Sequence, residues 1–127
     1  MPLTVFLIEH DPAVRDSLTV ALEAAGLLVR AFESMTAFID DFEPVQPACL
    51  VLDLDGPDTD GSALLDCWTR LPTVVTSARL STAGRHHKLP VPCRLLRKPF
   101  GDVELIAEIE GALAGSAAAG PAGPGPT

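Results

Sequence analysis

Four candidate strands in this chain each end in a polar side chain able to do chemistry. Glu9-His10 follows residues 3–8, Asp53 follows 49–52, Ser77 follows 73–76, and Lys98 follows 93–96 by way of Arg97. A carboxylate, a hydroxyl, an ammonium and a metal-capable acid brought to one place are what phosphoryl transfer to an aspartate requires. The carboxylate is the nucleophile, and a divalent cation screens its repulsion from the incoming dianion. The lysine and the hydroxyl then hold the equatorial oxygens as charge redistributes. Taken singly, each residue also reads as ordinary: Asp53 as the start of the turn Asp55-Gly56-Pro57, Lys98 as a surface cation. What sets them apart is their shared position at the ends of candidate strands.

The runs themselves say how the residues are held. A run that is apolar at every position needs cover on both faces, as in a parallel sheet between two layers of helices. Residues 3–8, 28–32, 49–52, 73–76 and 93–96 read as five strands, with 28–32 the second. Asp11-Pro12 is a helix start, Val14, Leu18, Ala21, Leu22 and Ala25 keep helical spacing, and Gly26 supplies the stop. Ser34 caps a helix carrying Met35, Phe38, Ile39 and Phe42, closed by Pro44. A further helix is expected over 62–71 and a marginal one over 82–88, where Gly84, Pro90 and Pro92 interfere. Asp102 is expected to cap a last helix through Leu113. Strands alternating with helices imply a parallel α/β sheet with right-handed crossovers, whose ligand crevice lies at the strands' carboxyl ends. Residues 1–114 are expected to form this one domain. Residues 115–127, almost wholly Gly, Ala and Pro, read as a disordered tail or linker.

Composition narrows the function classes. Hydrophobic residues make up 47% of the 127 and charged residues 20%, which is globular rather than disordered. A net charge of −8 argues against nucleic-acid binding by this domain alone, since phosphate contacts need a basic face. The charge is uneven: residues 1–66 hold thirteen acids against Arg15 and Arg30, whereas Arg79, Arg85, Lys88, Arg94, Arg97 and Lys98 cluster between 79 and 98. That basic segment reads as solvated surface or as a docking face. Cys49, Cys67 and Cys93 show no metal-like spacing and suit a reducing cytoplasm. No apolar run approaches membrane-spanning length, so no membrane partner is expected.

With these residues in place, the chain resembles the receiver domain of bacterial two-component response regulators. The likeness rests on Glu9-His10-Asp11-Pro12-Ala13-Val14-Arg15, on Leu50-Val51-Leu52-Asp53-Leu54 with Gly56-Pro57 and Gly61, on Val75-Thr76-Ser77-Ala78, and on Lys98-Pro99-Phe100. Val29-Arg30-Ala31-Phe32-Glu33-Ser34, followed by Phe38, is similar to receivers that precede a helix-turn-helix output domain. The resemblance implies a doubly wound, flavodoxin-like (CheY-like) α/β fold of five parallel strands in order 2-1-3-4-5. It implies Asp53 as phosphoacceptor, Ser77 and Lys98 as phosphoryl-binding groups, and Ser77 and Leu95 as switch positions. Glu9, His10, Asp53 and the Asp55 carbonyl would surround Mg²⁺, and Lys98-Pro99 would be cis. The implied partner is a sensor histidine kinase or a phosphotransfer protein, with a homodimer also compatible, and the implied role is signalling rather than enzymatic.

The chain also departs from that pattern. The family's two adjacent aspartates are replaced by Glu9 and His10, and the switch aromatic by Leu95. Mg²⁺ wants hard oxygen ligands, so an imidazole in a ligand position weakens it and favours another divalent cation such as Zn²⁺ or Ni²⁺. His10 equally reads as a solvent-facing side chain. Two other classes stay open: a pseudo-receiver that binds partners without phosphorylation, and, remotely, a haloacid-dehalogenase-like phosphatase, which Asp53-Leu54-Asp55-Gly56 resembles. The latter class needs a further acid pair after the lysine, where only Asp102 follows closely.

Overall fold

The structure is a computed structural model that describes residues 2–43, 45, 47–56, 71–78 and 93–119. Its strands are β1 (Thr4–Ile8), β2 (Leu28–Phe32), β3 (Ala48–Asp53), β4 (Thr73–Ser77) and β5 (Arg94–Arg97). Its described helices are α1 (Pro12–Ala24), α2 (Met35–Asp41) and α3 (Asp102–Ala119). The strands form one parallel sheet in order β2-β1-β3-β4-β5, as the resemblance implied. The helices expected over 62–71 and 82–88 lie outside the described residues, apart from Leu71 in the bend that enters β4.

Every residue of β1, β3 and β4 is buried. Successive side chains leave a strand on opposite faces, so one unbroken apolar run feeds two cores. Val5, Leu7, Cys49, Val51 and Val74 meet Leu18 and Leu22 of α1 and Leu105 and Ile109 of α3 on one face. On the other face Phe6, Ile8, Leu50 and Leu52 meet Met35 and Phe38 of α2. Phe6, Phe38 and Phe42 stack there with ring centroids 5.2 to 5.6 Å apart, and Phe32 meets Phe38 at 5.4 Å. Such tilted pairs add about 0.5–1.5 kcal/mol each beyond their burial. β2 and β5 are the sheet's edges, and β5 exposes Arg94, Leu95 and Arg97.

Local chemistry sets the helix ends. The Asp11 carboxylate accepts from the N–H groups of Ala13 and Val14, with Pro12 in the first turn of α1. At its far end Gly26 takes φ +92°, the left-handed conformation that glycine adopts without a Cβ penalty. Leu27 N–H then reaches back to Leu22 and Gly26 N–H to Glu23, which satisfies carbonyls the helix leaves open. Ser34 caps α2 by accepting from Ala37 N–H at 3.0 Å.

The start of α3 corrects the expectation for Asp102. Gly101 is the cap: its carbonyl accepts from Leu105 N–H, and the Glu104 carboxylate reaches back to Gly101 N–H at 2.7 Å. Asp102 is instead the first helical residue, where its charge faces the positive end of the helix. The helix also runs to Ala119, five residues past the expected boundary at 114, because its alanines favour helix more than their low complexity suggested.

Candidate functional site

The backbone register fixes the site before any side chain is considered. Ile8 pairs with Leu52, Asp53 with Thr76, and Ser77 with Arg97, so the strands finish along one edge. The ladder continues one step further: Glu9 N–H bonds to Phe32, Leu54 N–H to Thr76 and Lys98 N–H to Ser77, at 2.9 to 3.0 Å. Glu9, Asp53, Ser77 and Lys98 are thereby delivered to the carboxyl edge of the sheet, beside the switch point between β1 and β3. Lys98-Pro99 is cis, as expected.

Side chains then converge on Asp53, which is 2% exposed. Its Oδ1 accepts from Lys98 Nζ and from Asp55 N–H, both at 2.9 Å. Its Oδ2 lies 2.8 Å from His10 Nδ1. An ionised carboxylate only accepts, so the His10 Nδ1–H donates. Glu9 is equally buried, accepts from Asp11 N–H at 3.2 Å, and stands 3.9 Å from Lys98 Nζ. Arg15 Nη1 donates to the Glu9 carbonyl at 3.0 Å and pins the loop from below.

Asp55 has a larger part than expected. Only its backbone carbonyl was anticipated at the site, but its carboxylate crosses to β4. Oδ1 accepts from Ser77 Oγ at 2.7 Å and Oδ2 from Ala78 N–H at 2.9 Å, with Lys98 Nζ 3.4 Å away. Ser77, expected as a phosphoryl-binding hydroxyl, donates to the Asp55 carboxylate. Leu95, the expected switch position, is 40% exposed on β5 and pairs with Val75.

These contacts shift the ionisations in opposite directions. Burial drives the Glu9 carboxyl above its ordinary 4.5, against the pull of the Asp11 N–H, and the Asp53 charge adds to the rise. Burial also acts upward on Asp53, but the Asp55 N–H, Lys98 and His10 together outweigh it and hold the carboxyl below 3.8. At Asp55 the Ala78 N–H, Ser77 and Lys98 likewise overcome burial and lower it. Lys98, flanked by Asp53, Glu9 and Asp55, is raised above 10.5 despite the opposing effect of its own burial. Away from this edge, burial pushes the Cys49 thiol up to about 12, so it is inert as a nucleophile.

Among the described residues, Glu9, His10 and Asp53 form a group whose candidate ligand atoms all lie within 4.8 Å of one another. Glu9 and Asp53 are two buried carboxylates that share the ammonium of Lys98. Two hard anionic oxygens this close together fit a small divalent cation. While His10 Nδ1–H is donated to Asp53, that nitrogen has no lone pair to offer a metal.

The arrangement has counterparts in known proteins. The transcriptional regulatory protein FixJ of Azorhizobium caulinodans is 32% identical over 126 residues, which cover 93% of this chain and 58% of FixJ. The KDP operon transcriptional regulatory protein KdpE of Escherichia coli is 33% identical over 113 residues, covering 86% of this chain and 50% of KdpE. The crystal structure of FixJ-N matches with a TM-score of 0.74 at 27% identity, over 90% of this chain and 95% of that one. No family model matches the chain. The topology, the acidic edge and these likenesses together define a receiver domain. The chain belongs to the receivers of two-component response regulators, and it spans about half the length of the curated relatives it matches. Among its described residues no helix is long and apolar enough to cross a membrane.

Proposed function

We propose that the chain accepts a phosphoryl group on Asp53 from the phosphohistidine of a sensor kinase or phosphotransfer protein, and relays that event by conformational change in the cytoplasm. An Asp53 oxygen attacks phosphorus, the P–N bond breaks, and the departing imidazole keeps the bonding pair and takes up a proton from water. The product is an acyl phosphate. One observation carries the reading: Lys98 Nζ sits 2.9 Å from a buried aspartate at the carboxyl edge of a parallel sheet, with Glu9 beside it. That pairing supplies a nucleophile, a fixed positive charge for the phosphoryl oxygens and an acid able to hold a cation.

Glu9, Asp53 and the Asp55 carbonyl would hold Mg²⁺, which when bound neutralises the charge gathered between nucleophile and donor. Lys98 orients an equatorial oxygen, and Ser77 is the hydroxyl whose bond changes on phosphorylation. The chain itself turns over no substrate in this reading. The donor of the His10 bond occupies an Asp53 oxygen, and this favours as second reading a pseudo-receiver that signals by binding alone. Incubation with acetyl phosphate and excess Mg²⁺, followed by intact mass, separates the two. A gain of one phosphoryl group that is absent in Asp53→Ala is the expected result. No gain in the native chain rejects the phosphoacceptor and leaves the binding module.

A further inference from the structure

The carboxylate of Asp55 makes contacts that its turn does not require. An aspartate in a turn ordinarily satisfies itself on backbone two residues ahead. This one reaches residues 22 and 23 positions away on the far side of the crevice. There it gathers a hydroxyl (Ser77 Oγ, 2.7 Å), a backbone N–H (Ala78, 2.9 Å) and an ammonium (Lys98 Nζ, 3.4 Å). Three donors of these kinds, converging from β4 and from the residue after β5, form an anion-binding nest. Two of its members, Ser77 and Lys98, are the groups assigned above to the phosphoryl oxygens.

We propose that the Asp55 carboxylate is a built-in occupant of this nest, and that it must swing out before a phosphoryl group can be held on Asp53. The inference rests on the phosphoacceptor reading and adds a regulatory part to the same site. A carboxylate and a phosphoryl group carry the same sign of charge and need the same donors, so they exclude one another. The Asp55 side chain is only 18% exposed, so it is seated in the crevice rather than waving over it. The resting domain thus holds its own anion where the signal is to arrive, and any partner that draws Asp55 outward opens the site.

The test is orthophosphate binding without divalent cation, read from the Ala78 amide resonance in the native chain, Asp55→Ala and Asp55→Asn. Removing one charge-assisted competitor should tighten orthophosphate by about tenfold or more in both variants. Asn keeps the size of Asp, so it preserves the test should Asp55→Ala fold poorly. Unchanged orthophosphate affinity in a natively folded variant overturns the proposal, because Asp55 would then be only a tether between β3 and β4. Acetyl phosphate labelling of the same three proteins reads the acceptor role separately. Tighter orthophosphate binding without any Asp53 label upholds the occupant and rejects the phosphoacceptor. Labelling without tighter binding does the reverse.

Discussion

Replacing His10 by Asp tests how the site is held closed to a cation. In the structure the His10 Nδ1–H occupies Asp53 Oδ2 at 2.8 Å, on the side opposite Lys98, which takes Oδ1. A cation using Oδ2 must displace that bond. Hydrogen bonds to charged groups contribute about 1.5–3 kcal/mol net, and the lower end applies because the His10 side chain is 40% exposed. About 1.4 kcal/mol is a factor of ten in affinity. Asp adds a hard anionic oxygen as well, so the Mg²⁺ Kd of His10→Asp should fall by at least about tenfold, and acetyl phosphate labelling should quicken. The variant should lose stability without metal, because a fourth carboxylate joins Glu9, Asp53 and Asp55 around one ammonium. Saturating Mg²⁺ should then raise its Tm more than it raises that of the native chain. His10→Ala, which frees Oδ2 without adding a ligand, should fall between the two. Calorimetric titration and thermal melts read both effects. A Kd within twofold of the native value in His10→Asp would refute the reasoning, since Glu9 and Asp53 would then bind the cation unhindered.

Glu9→Gln should raise the metal-free Tm at neutral pH while weakening Mg²⁺ binding. A carboxyl raised above 4.5 costs stability as pH climbs from 4.5 through its folded value, so the gain should vanish in melts at pH 4 and below. Asp53 and Asp55 have the opposite sign: their contribution is present above 3.8 and lost as pH falls through their lower folded values. Asp55→Asn should therefore flatten the acid limb of the Tm–pH curve, and an unchanged limb would contradict the bonds to Ser77 and Ala78. Lys98 acts at the other end, its contribution being lost as pH rises through a folded value above 10.5, so Lys98→Met should flatten the alkaline limb. Phe38→Ala, which empties the centre of the aromatic cluster, should cost about 3–5 kcal/mol in urea unfolding and leave the site's chemistry intact.

Much of the fold was legible because strong local chemistry punctuates it. Asp11-Pro12, Gly26 and Ser34 mark helix ends that hold in three dimensions, and the unbroken apolar runs at β1 and β3 announced two-sided burial. The misjudged boundaries have a common cause. β4 includes Ser77, and β5 is shifted from 93–96 to Arg94–Arg97, because strand ends are set by the partner's ladder and not by polarity. Gly101 displaced Asp102 as cap through a side chain three residues ahead, which composition alone cannot rank against an aspartate. The helix past residue 114 shows a low-complexity segment obeying alanine's intrinsic preference.

The site divides along the same line. Glu9, Asp53 and Lys98 could be placed together from the sequence because backbone register alone brings them to one edge. The contacts of His10 and of the Asp55 carboxylate could not, because they are rotamer choices decided by partners 43 and 22 positions away. The one available signal was an acid at position 55, where the backbone carbonyl was all the expected role required. Both unforeseen contacts act in the same sense. His10 occupies one oxygen of Asp53, and the Asp55 carboxylate occupies Ser77 Oγ and the Ala78 N–H. Neither displaces Asp53, Ser77 or Lys98 from the sheet edge at which the proposed phosphoryl transfer needs them. A receiver that had lost its chemistry through drift would be expected to lack one of these groups. This one retains them, which under the proposed function argues for a site closed at rest and opened by cation and partner.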